Sequence, residues 1–130
     1  MKAITIHTAL DALLNQKHLP LEKVLNRHFS PDYRQRTNGQ WDDREGFMRH
    51  ARKLREIVVS ARIEILEELR DGDHYADRHR VRITKRDGSQ VVQEVYLFAQ
   101  IDQDGRFARI EETTLMLEGA ETDRDIGSAK

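Results

Sequence analysis

The stretch YADRHRVRI, residues 75–83, places a carboxylate and an imidazole two positions apart. Alternate residues of a β-strand share one face, so Asp77 and His79 would point the same way, ~7 Å apart along the strand. Val81 and Ile83 continue that face with residues typical of a core. A positioned acid/base pair accelerates proton transfer by ~10²–10⁴. We take Asp77 and His79 as candidate catalytic residues; the alternative is a polar pair that only stabilises the fold.

Aromatic and basic residues elsewhere could line a pocket around this pair: Tyr33, Arg36, Trp41 and Tyr96. In a pocket, Tyr33 and Tyr96 would offer hydroxyl donors and flat apolar walls, whereas in a core each hydroxyl would need one partner. Arg36 would receive a carboxylate. Trp41 precedes a predicted helix, where it would serve either as a lid or as the residue that fixes the helix start.

Other kinds of site find no support in the sequence. Cysteine is absent, which excludes disulfides, thiolate metal sites and cysteine nucleophiles. The histidines lack metal-ligand spacing, since His74 and His79 would lie on opposite strand faces. No glycine-rich phosphate loop or dinucleotide motif is present. We therefore expect neither a metal nor a cofactor.

The charge pattern bears on partners and location. Basic and acidic residues number 22 and 23 and are interspersed, which argues against a nucleic-acid binder. No apolar run approaches the ~18 residues of a membrane span, and the first residues lack the pattern of a secretion signal. We expect no membrane partner and a cytoplasmic location.

The first part of the chain has helical periodicity. Apolar residues predict a helix over 4–17, and a second helix begins after Pro20, which suits a first helical position. A short extended piece is expected over 33–37. A third helix then follows, with Asp42 as its cap and Glu45 in the capping-box position.

After the third helix the apolar period changes to two. Asp-Gly pairs at 71–72, 87–88 and 104–105 each separate two alternating runs, which is the strongest local signal for a β-hairpin. Three hairpins join four predicted strands into an antiparallel meander, over 58–70, 74–86, 90–102 and 106–117. A single domain is expected over 1–118, followed by a polar tail over 119–130.

These elements predict an α+β fold with three N-terminal helices packed on a strongly curved antiparallel sheet. Such a sheet encloses a cone, and the open end of a cone is a common ligand site. Val81 and Ile83 would occupy the packed end, and Asp77 and His79 the pocket. Of the adjacent Glu111 and Glu112, one must face inward.

Four segments, HFSPDYRQRTNG, DDREGFMRHARKLRE, DGDHYADRHRVRITKRDG and DQDGRFARIEETTLMLEG, resemble the nuclear transport factor 2-like superfamily, within it the SnoaL-like group that includes polyketide cyclases. The resemblance implies a conical barrel, a cystatin-like α+β roll, whose outer face pairs with a second subunit. It also implies that Glu112, the second acid of its pair, lies in the pocket. Relatives carry Tyr-x-Gln-His where this chain has Tyr33-Arg-Gln-Arg36, and the guanidinium of Arg36 stays charged and cannot act as a base.

Three functions are compatible with this sequence. The first is a cofactor-free isomerase or cyclase acting on a small, largely apolar molecule, in which Asp77 or His79 moves the proton while Tyr33 and Arg36 orient the ligand. The second is a non-catalytic binder of such a molecule. The third is an interaction module that uses an apolar outer sheet face, for which the candidates are Val91, Val95 and Leu97. A homodimer is expected in each case.

Overall fold

The structure, a computed structural model, describes residues 5–130, except for the side chain of Ser128. Three helices and six strands follow in the order α1 (Ile6–Leu14), α2 (Leu21–His28), β1 (Phe29–Thr37), β2 (Gln40–Asp43), α3 (Arg44–Ile57), β3 (Val58–Asp71), β4 (His74–Lys85), β5 (Gln90–Ile101) and β6 (Phe107–Glu118). The predicted start of the first helix at Ile4 lies outside the described residues. Within them, no helix has the length and apolarity needed to cross a membrane.

The strands form one curved sheet in the order β2-β1-β6-β5-β4-β3. The predicted α+β class, with three helices on a curved sheet, is confirmed. Two details were wrong: β1 runs parallel to β6, so the sheet is mixed, and β2 and β3 are free edges, so the barrel is not closed. No local turn joins β1 to β6, and hairpin signals therefore carry no information about their direction.

The predicted meander from β3 to β6 is confirmed. Gly72, Gly88 and Gly105 have φ values of +60°, +87° and +82°, which explains the glycine in each Asp-Gly turn. The register of β3 on β4 shifts between Ile65 and Glu67. This β-bulge places Glu68 opposite Asp77 on β4, a pairing that matters for the site.

Arg55 on α3 fixes the C-terminal end of α1. Its guanidinium donates hydrogen bonds of 2.7–3.3 Å to the carbonyl oxygens of Ala12, Leu13, Gln16 and Leu19. The last carbonyls of a helix have no partner within the helix, and a cation near them also interacts favourably with the negative end of the helix dipole. Arg55 therefore holds α1 over the sheet.

The N-terminal cap of α3 is Asp43, not the predicted Asp42. The Asp43 carboxylate accepts a hydrogen bond of 2.8 Å from the Gly46 amide. Because the third helical residue is then Gly46, the predicted capping box with Glu45 does not form. Asp42 instead accepts a bond of 2.5 Å from the side chain of Lys130.

The segment 119–130, predicted as a polar tail, packs against the body of the protein. It forms two short 3-10 turns, Glu121–Asp123 and Ile126–Ser128, and Ile126 is buried. The carboxylate of Asp123 accepts a hydrogen bond of 2.8 Å from Lys85 at the end of β4.

Candidate functional site

A cavity of about 60 Å³ lies between the helices and the concave face of the sheet. Its walls are mostly apolar, and they include Leu10, Leu13, Leu14, Phe29, Phe47 and Leu97. Five side chains with polar groups also line it: Tyr33, Gln35, His50, His79 and Glu112. The cavity can hold a few water molecules. Its composition, apolar with a few convergent polar groups, is typical of a ligand site.

His79 and Asp77 are in direct contact beneath this cavity. Nδ1 of His79 lies 2.7 Å from Oδ1 of Asp77, and the two side chains are 2% and 0% exposed. Because a carboxylate can only accept, the contact favours the tautomer with a proton on Nδ1 and leaves Nε2 as the acceptor. His79 lines the cavity and Asp77 lies behind it, so the structure brings the pair together but gives only His79 access to a ligand.

Asp77 has a second partner that sequence reasoning missed. Its Oδ2 lies 3.1 Å from the hydroxyl of Tyr75, which also donates to the carboxylate of Glu68 and accepts from the Ile6 amide at 3.3 Å. Burial, reinforced by the hydrogen bond to Glu68, raises the pKa of Tyr75 well above its ordinary value. Its position two residues before Asp77 was the available signal, because the two side chains must share a strand face.

Glu112 lies on the concave face of β6 and lines the same cavity. Burial raises the pKa of its carboxyl; the charge of His79 and a hydrogen bond from Thr37, 3.3 Å long, oppose this shift. The resemblance had implied that Glu112 is the inward member of its pair, and the structure places it there. Glu111 faces outward instead, opposite Phe98.

A chain of hydrogen bonds along β1 leads to Glu112. The hydroxyl of Tyr33 donates to Oε1 of Gln35 at 2.7 Å, and Nε2 of Gln35 donates to the hydroxyl of Thr37 at 3.0 Å. Thr37 in turn donates to Glu112. Burial raises the pKa of Tyr33 well above its ordinary value, so Tyr33 stays a donor. Gln35 and Thr37 were missed, although strand period two places them beside Tyr33.

His50 on α3 joins the cavity to the C-terminal segment. Its Nδ1 lies 2.5 Å from the carbonyl oxygen of Ala129, and burial lowers the pKa of the imidazole. A neutral imidazole donates through Nδ1 to that carbonyl. Nearby, Gly127 is packed closely enough that a side chain there would meet Thr114 and Gln93 on the concave face. The C-terminal segment therefore packs against the concave face beside Thr37.

Two residues expected in the pocket lie on β1 and β2 away from it. Arg36 is half exposed and faces Glu111 at 4.0 Å. Trp41 is 48% exposed and stacks on the guanidinium of Arg34, 4.6 Å from its ring centre. Arg36 follows the inward-facing Gln35 and must point outward. Neither residue is in a position to contact a ligand in the cavity.

The structure decides which face of β5 lies inside, a choice that the sequence left open. Tyr96 is 46% exposed and donates to Glu94 on the outer face, so it lies neither in this cavity nor in the core. Val91, Val95 and Leu97, the candidates for an apolar outer surface, are buried in the core. The more apolar face of β5 lies on the concave side because burying apolar side chains against the helices is favourable. The exposed apolar side chains of the outer sheet surface are instead Leu69, Tyr96, Phe98, Leu115 and Leu117.

Across residues 5–130, no cluster of three or more histidine, aspartate or glutamate side chains is arranged to hold a metal ion. The polar groups that line the cavity are held by hydrogen bonds. His79 is bonded to Asp77 behind the cavity, and Glu112 is bonded to Thr37 on β1. This arrangement places an imidazole and a carboxyl group beside apolar walls, and these are two of the side-chain types that serve in acid–base catalysis.

The fold is shared with many solved structures. A nuclear transport factor 2-like protein of unknown function from Exiguobacterium sp. 255-15 matches with a TM-score of 0.66 and 18% identity over 85% of this chain and 98% of that one. A protein with a ketosteroid isomerase-like fold from Catenulispora acidiphila, in complex with trimethylamine, gives 0.64 and 13% over 85% of each. A candidate SnoaL-like polyketide cyclase from Shewanella denitrificans gives 0.66 and 9% over 82% and 85%. At these identities the likeness establishes the fold.

Sequence comparison identifies the family. The model of the SnoaL-like domain matches residues 8–110, most of the chain. An uncharacterised protein of Schizosaccharomyces pombe is 30% identical over 106 residues, which cover 82% of this chain and 81% of the yeast protein. The chain therefore belongs to the SnoaL-like domain family.

Proposed function

We propose that the protein binds a small, largely apolar molecule in the cavity and transfers a proton on it without a cofactor, as an isomerase or cyclase does. The observation that carries this proposal is the position of His79: oriented by Asp77 at 2.7 Å, it lines an apolar cavity together with Glu112. Sites that place one base and one acid beside an apolar pocket suit proton abstraction next to a carbonyl group.

His79 is the proposed base. With its Nδ1 proton directed at Asp77, Nε2 is free to take a proton from a carbon beside a ligand carbonyl: the C–H bond breaks and an N–H bond forms. The imidazolium is then stabilised by the Asp77 carboxylate until it returns the proton to another carbon. Asp77 thus acts as a positioning residue, and the sequence-based assignment of Asp77 as a base in direct contact with the ligand is not retained.

Glu112 is the proposed acid. A carboxyl whose pKa is raised keeps its proton to higher pH and can donate to the oxygen of an enolate. The chain from Tyr33 through Gln35 and Thr37 fixes one carboxyl oxygen and leaves the other for a ligand. Trp41, Arg36 and Tyr96 have no role in this mechanism.

The size of the cavity bears on the route of entry. Pockets for drug-sized ligands measure ~300–1,000 Å³, whereas this cavity measures about 60 Å³. A ligand larger than a few atoms must therefore displace part of the wall. The C-terminal segment is the proposed gate, since it lies at the end next to Thr37 and is tied to the cavity through His50.

The second candidate function is an interaction module that dimerises through the outer sheet face. Phe98 and Leu69 are each 71% exposed there, and Leu115 is 54% exposed. Contiguous exposed apolar side chains of this size are typical of protein interfaces. A homodimer through this face is compatible with both functions, because the cavity opens on the opposite side of the sheet.

A binding screen separates the two functions. Wild-type protein is heated with small aromatic acids, steroids, polyketide-like phenols and acyl compounds, and the screen is repeated with Glu112→Gln and with Glu111→Gln as the matched control. A ligand at ~100 times its Kd adds ~2.7 kcal/mol to stability. We expect stabilisation of the wild type and of Glu111→Gln, with weaker stabilisation of Glu112→Gln. Silence of every compound, with a dimer that resists dilution, would favour the interaction module.

A further inference from the structure

We propose that Glu68, Tyr75 and Asp77 form a proton path that connects solvent to His79. Three hydrogen bonds make up the path: His79 to Asp77 at 2.7 Å, Asp77 to Tyr75 at 3.1 Å, and Tyr75 to Glu68. Its inner end, His79, is 2% exposed, and its outer end, Glu68, is exposed. The path therefore crosses the wall of the protein through side chains alone.

The two carboxylates and the phenol are held in line by the backbone. The bulge between Ile65 and Glu67 places Glu68 opposite Asp77, and Tyr75 precedes Asp77 on the same face of β4. The ring of Tyr75 packs edge-on against Phe107, with ring centres 5.6 Å apart. Its hydroxyl accepts a hydrogen bond from the Ile6 amide at the start of α1, which fixes the position of the hydroxyl oxygen.

A tyrosine hydroxyl has one proton to donate and two lone pairs that accept. One lone pair of Tyr75 takes the Ile6 amide, so the other can take a proton from Asp77 while the hydroxyl proton points to Glu68. The same oxygen is within reach of both carboxylates but can donate to only one of them at a time. Tyr75 is thus placed as a switch between the buried and the exposed acid.

The proton balance of the path closes. When Nε2 of His79 gains a proton that is not returned to a ligand, the Nδ1 proton passes to Asp77, and the N–H bond is replaced by an O–H bond. The Asp77 carboxyl rotates and gives this proton to the oxygen of Tyr75 as the hydroxyl proton of Tyr75 passes to Glu68. Asp77 and Tyr75 then hold the protons they held at the start, Glu68 releases its proton to water, and His79 holds its one proton on Nε2. When Nε2 gives that proton up, the same path run inward returns a proton from water through Glu68, Tyr75 and Asp77 to Nδ1.

A purely structural network would not need an exposed end. The bond from Asp77 to His79 is enough to orient the imidazole, and packing against Phe107 is enough to hold the Tyr75 ring. The use of this path during turnover rests on the proposed function of His79. The path itself does not, because it would exchange the His79 ring proton with water whether or not a ligand is present.

The experiment measures that exchange. Histidine is labelled with ¹⁵N, the His79 resonance is assigned by its loss in His79→Gln, and the exchange rate of its Nδ1 proton with water is measured without ligand. Glu68→Gln keeps an acceptor for Tyr75 but cannot carry a proton, and Tyr75→Phe keeps the ring but removes the hydroxyl. Tyr96→Phe is the matched control, since it removes a hydroxyl bonded to a glutamate on the outer face.

We expect exchange to slow by about ten-fold or more in Glu68→Gln and Tyr75→Phe, with the Nδ1–H tautomer retained, and to be unchanged in Tyr96→Phe. Rates within about a factor of two of wild type in both variants would overturn the proposal. Loss of the Nδ1–H tautomer in Glu68→Gln would also overturn it, because the network would then orient His79 rather than carry its proton. None of these outcomes depends on whether a ligand is turned over.

Discussion

Nδ1 of His79 lies 2.7 Å from Oδ1 of Asp77, and the buried carboxylate has no contact with the cavity that the imidazole lines. This order, carboxylate behind and imidazole in front, assigns the two residues different tasks. A buried carboxylate that accepts from Nδ1 fixes the tautomer and would stabilise an imidazolium, and the ring nitrogen on the cavity side is the one that a ligand in the cavity would meet.

Asp77→Asn tests the positioning role. Asparagine keeps the size of the side chain but can turn an amide donor toward Nδ1, which favours the opposite tautomer and removes the free acceptor from the cavity. We expect proton transfer to fall by ~10² or more with ligand binding largely retained. Rates and ligand affinities of the variant and wild type check this; a loss of affinity with no loss of rate in the bound state would contradict it.

Glu112→Gln should change how stability depends on pH. A carboxyl with a raised pKa binds protons more tightly in the folded chain than in the unfolded one, so it lowers stability as pH rises from the ordinary value of 4.5 through the folded pKa. Glutamine does not titrate. The variant should therefore gain stability relative to wild type across this window and level off above it. Urea unfolding from about pH 4 to about pH 8 measures the difference, with Glu111→Gln as control; parallel curves for all three proteins would contradict the assignment.

The anchor at the end of α1 is a stability prediction. Arg55→Ala removes a guanidinium that bonds four carbonyl oxygens and should destabilise the protein by about 2–3 kcal/mol, because hydrogen bonds to charged groups are the stronger ones. The exposed Arg52 on the same helix is the control and should change stability by less than about 0.5 kcal/mol as Arg52→Ala. Equal losses for the two variants by chemical denaturation would show that the carbonyl contacts contribute little.

The outer sheet face makes a prediction about assembly. Phe98→Glu replaces a 71% exposed apolar side chain of the outer face with a charge, directly opposite Glu111, and should convert a dimer to a monomer. Val59→Glu changes an equally apolar, 51% exposed residue on β3 and should leave the dimer intact. Light scattering on size-exclusion fractions gives the mass of each. A wild-type monomer would remove the proposed interface, and a Phe98→Glu dimer would move it elsewhere.

The sequence predicted most of the fold because its signals are local. Asp-Gly pairs determine three hairpins. The alternation of apolar and polar residues along β4 correctly placed Asp77 and His79 on one face. The parallel pairing of β1 with β6 joins residues about 75 positions apart, which no turn signal reports. The bulge between Ile65 and Glu67 likewise has no glycine or proline to indicate it.

The candidate site was only partly predictable for a related reason. The segment 33–37 was interpreted only as a short extended piece, without assigning its residues to the two faces of a strand. Arg36 was therefore grouped with Tyr33, although residues three positions apart in a strand face opposite ways. In β5 both faces carry apolar residues, and only packing against the helices decides that Leu97 is inside and Tyr96 outside. The hydrogen bonds of Gln35 and Thr37 likewise form because packing turns their face of β1 inward.

The most direct test of the proposed function is deuterium incorporation into a bound carbonyl compound. A ligand from the binding screen that carries a carbonyl group is incubated in D₂O with wild-type protein, His79→Gln and Asp77→Asn, and the label at the adjacent carbon is followed by NMR. We expect incorporation by wild type, with losses of ~10² or more in both variants. Equal incorporation by wild type and His79→Gln, or none by any protein with the ligand bound, would contradict a proton-transfer function for this cavity.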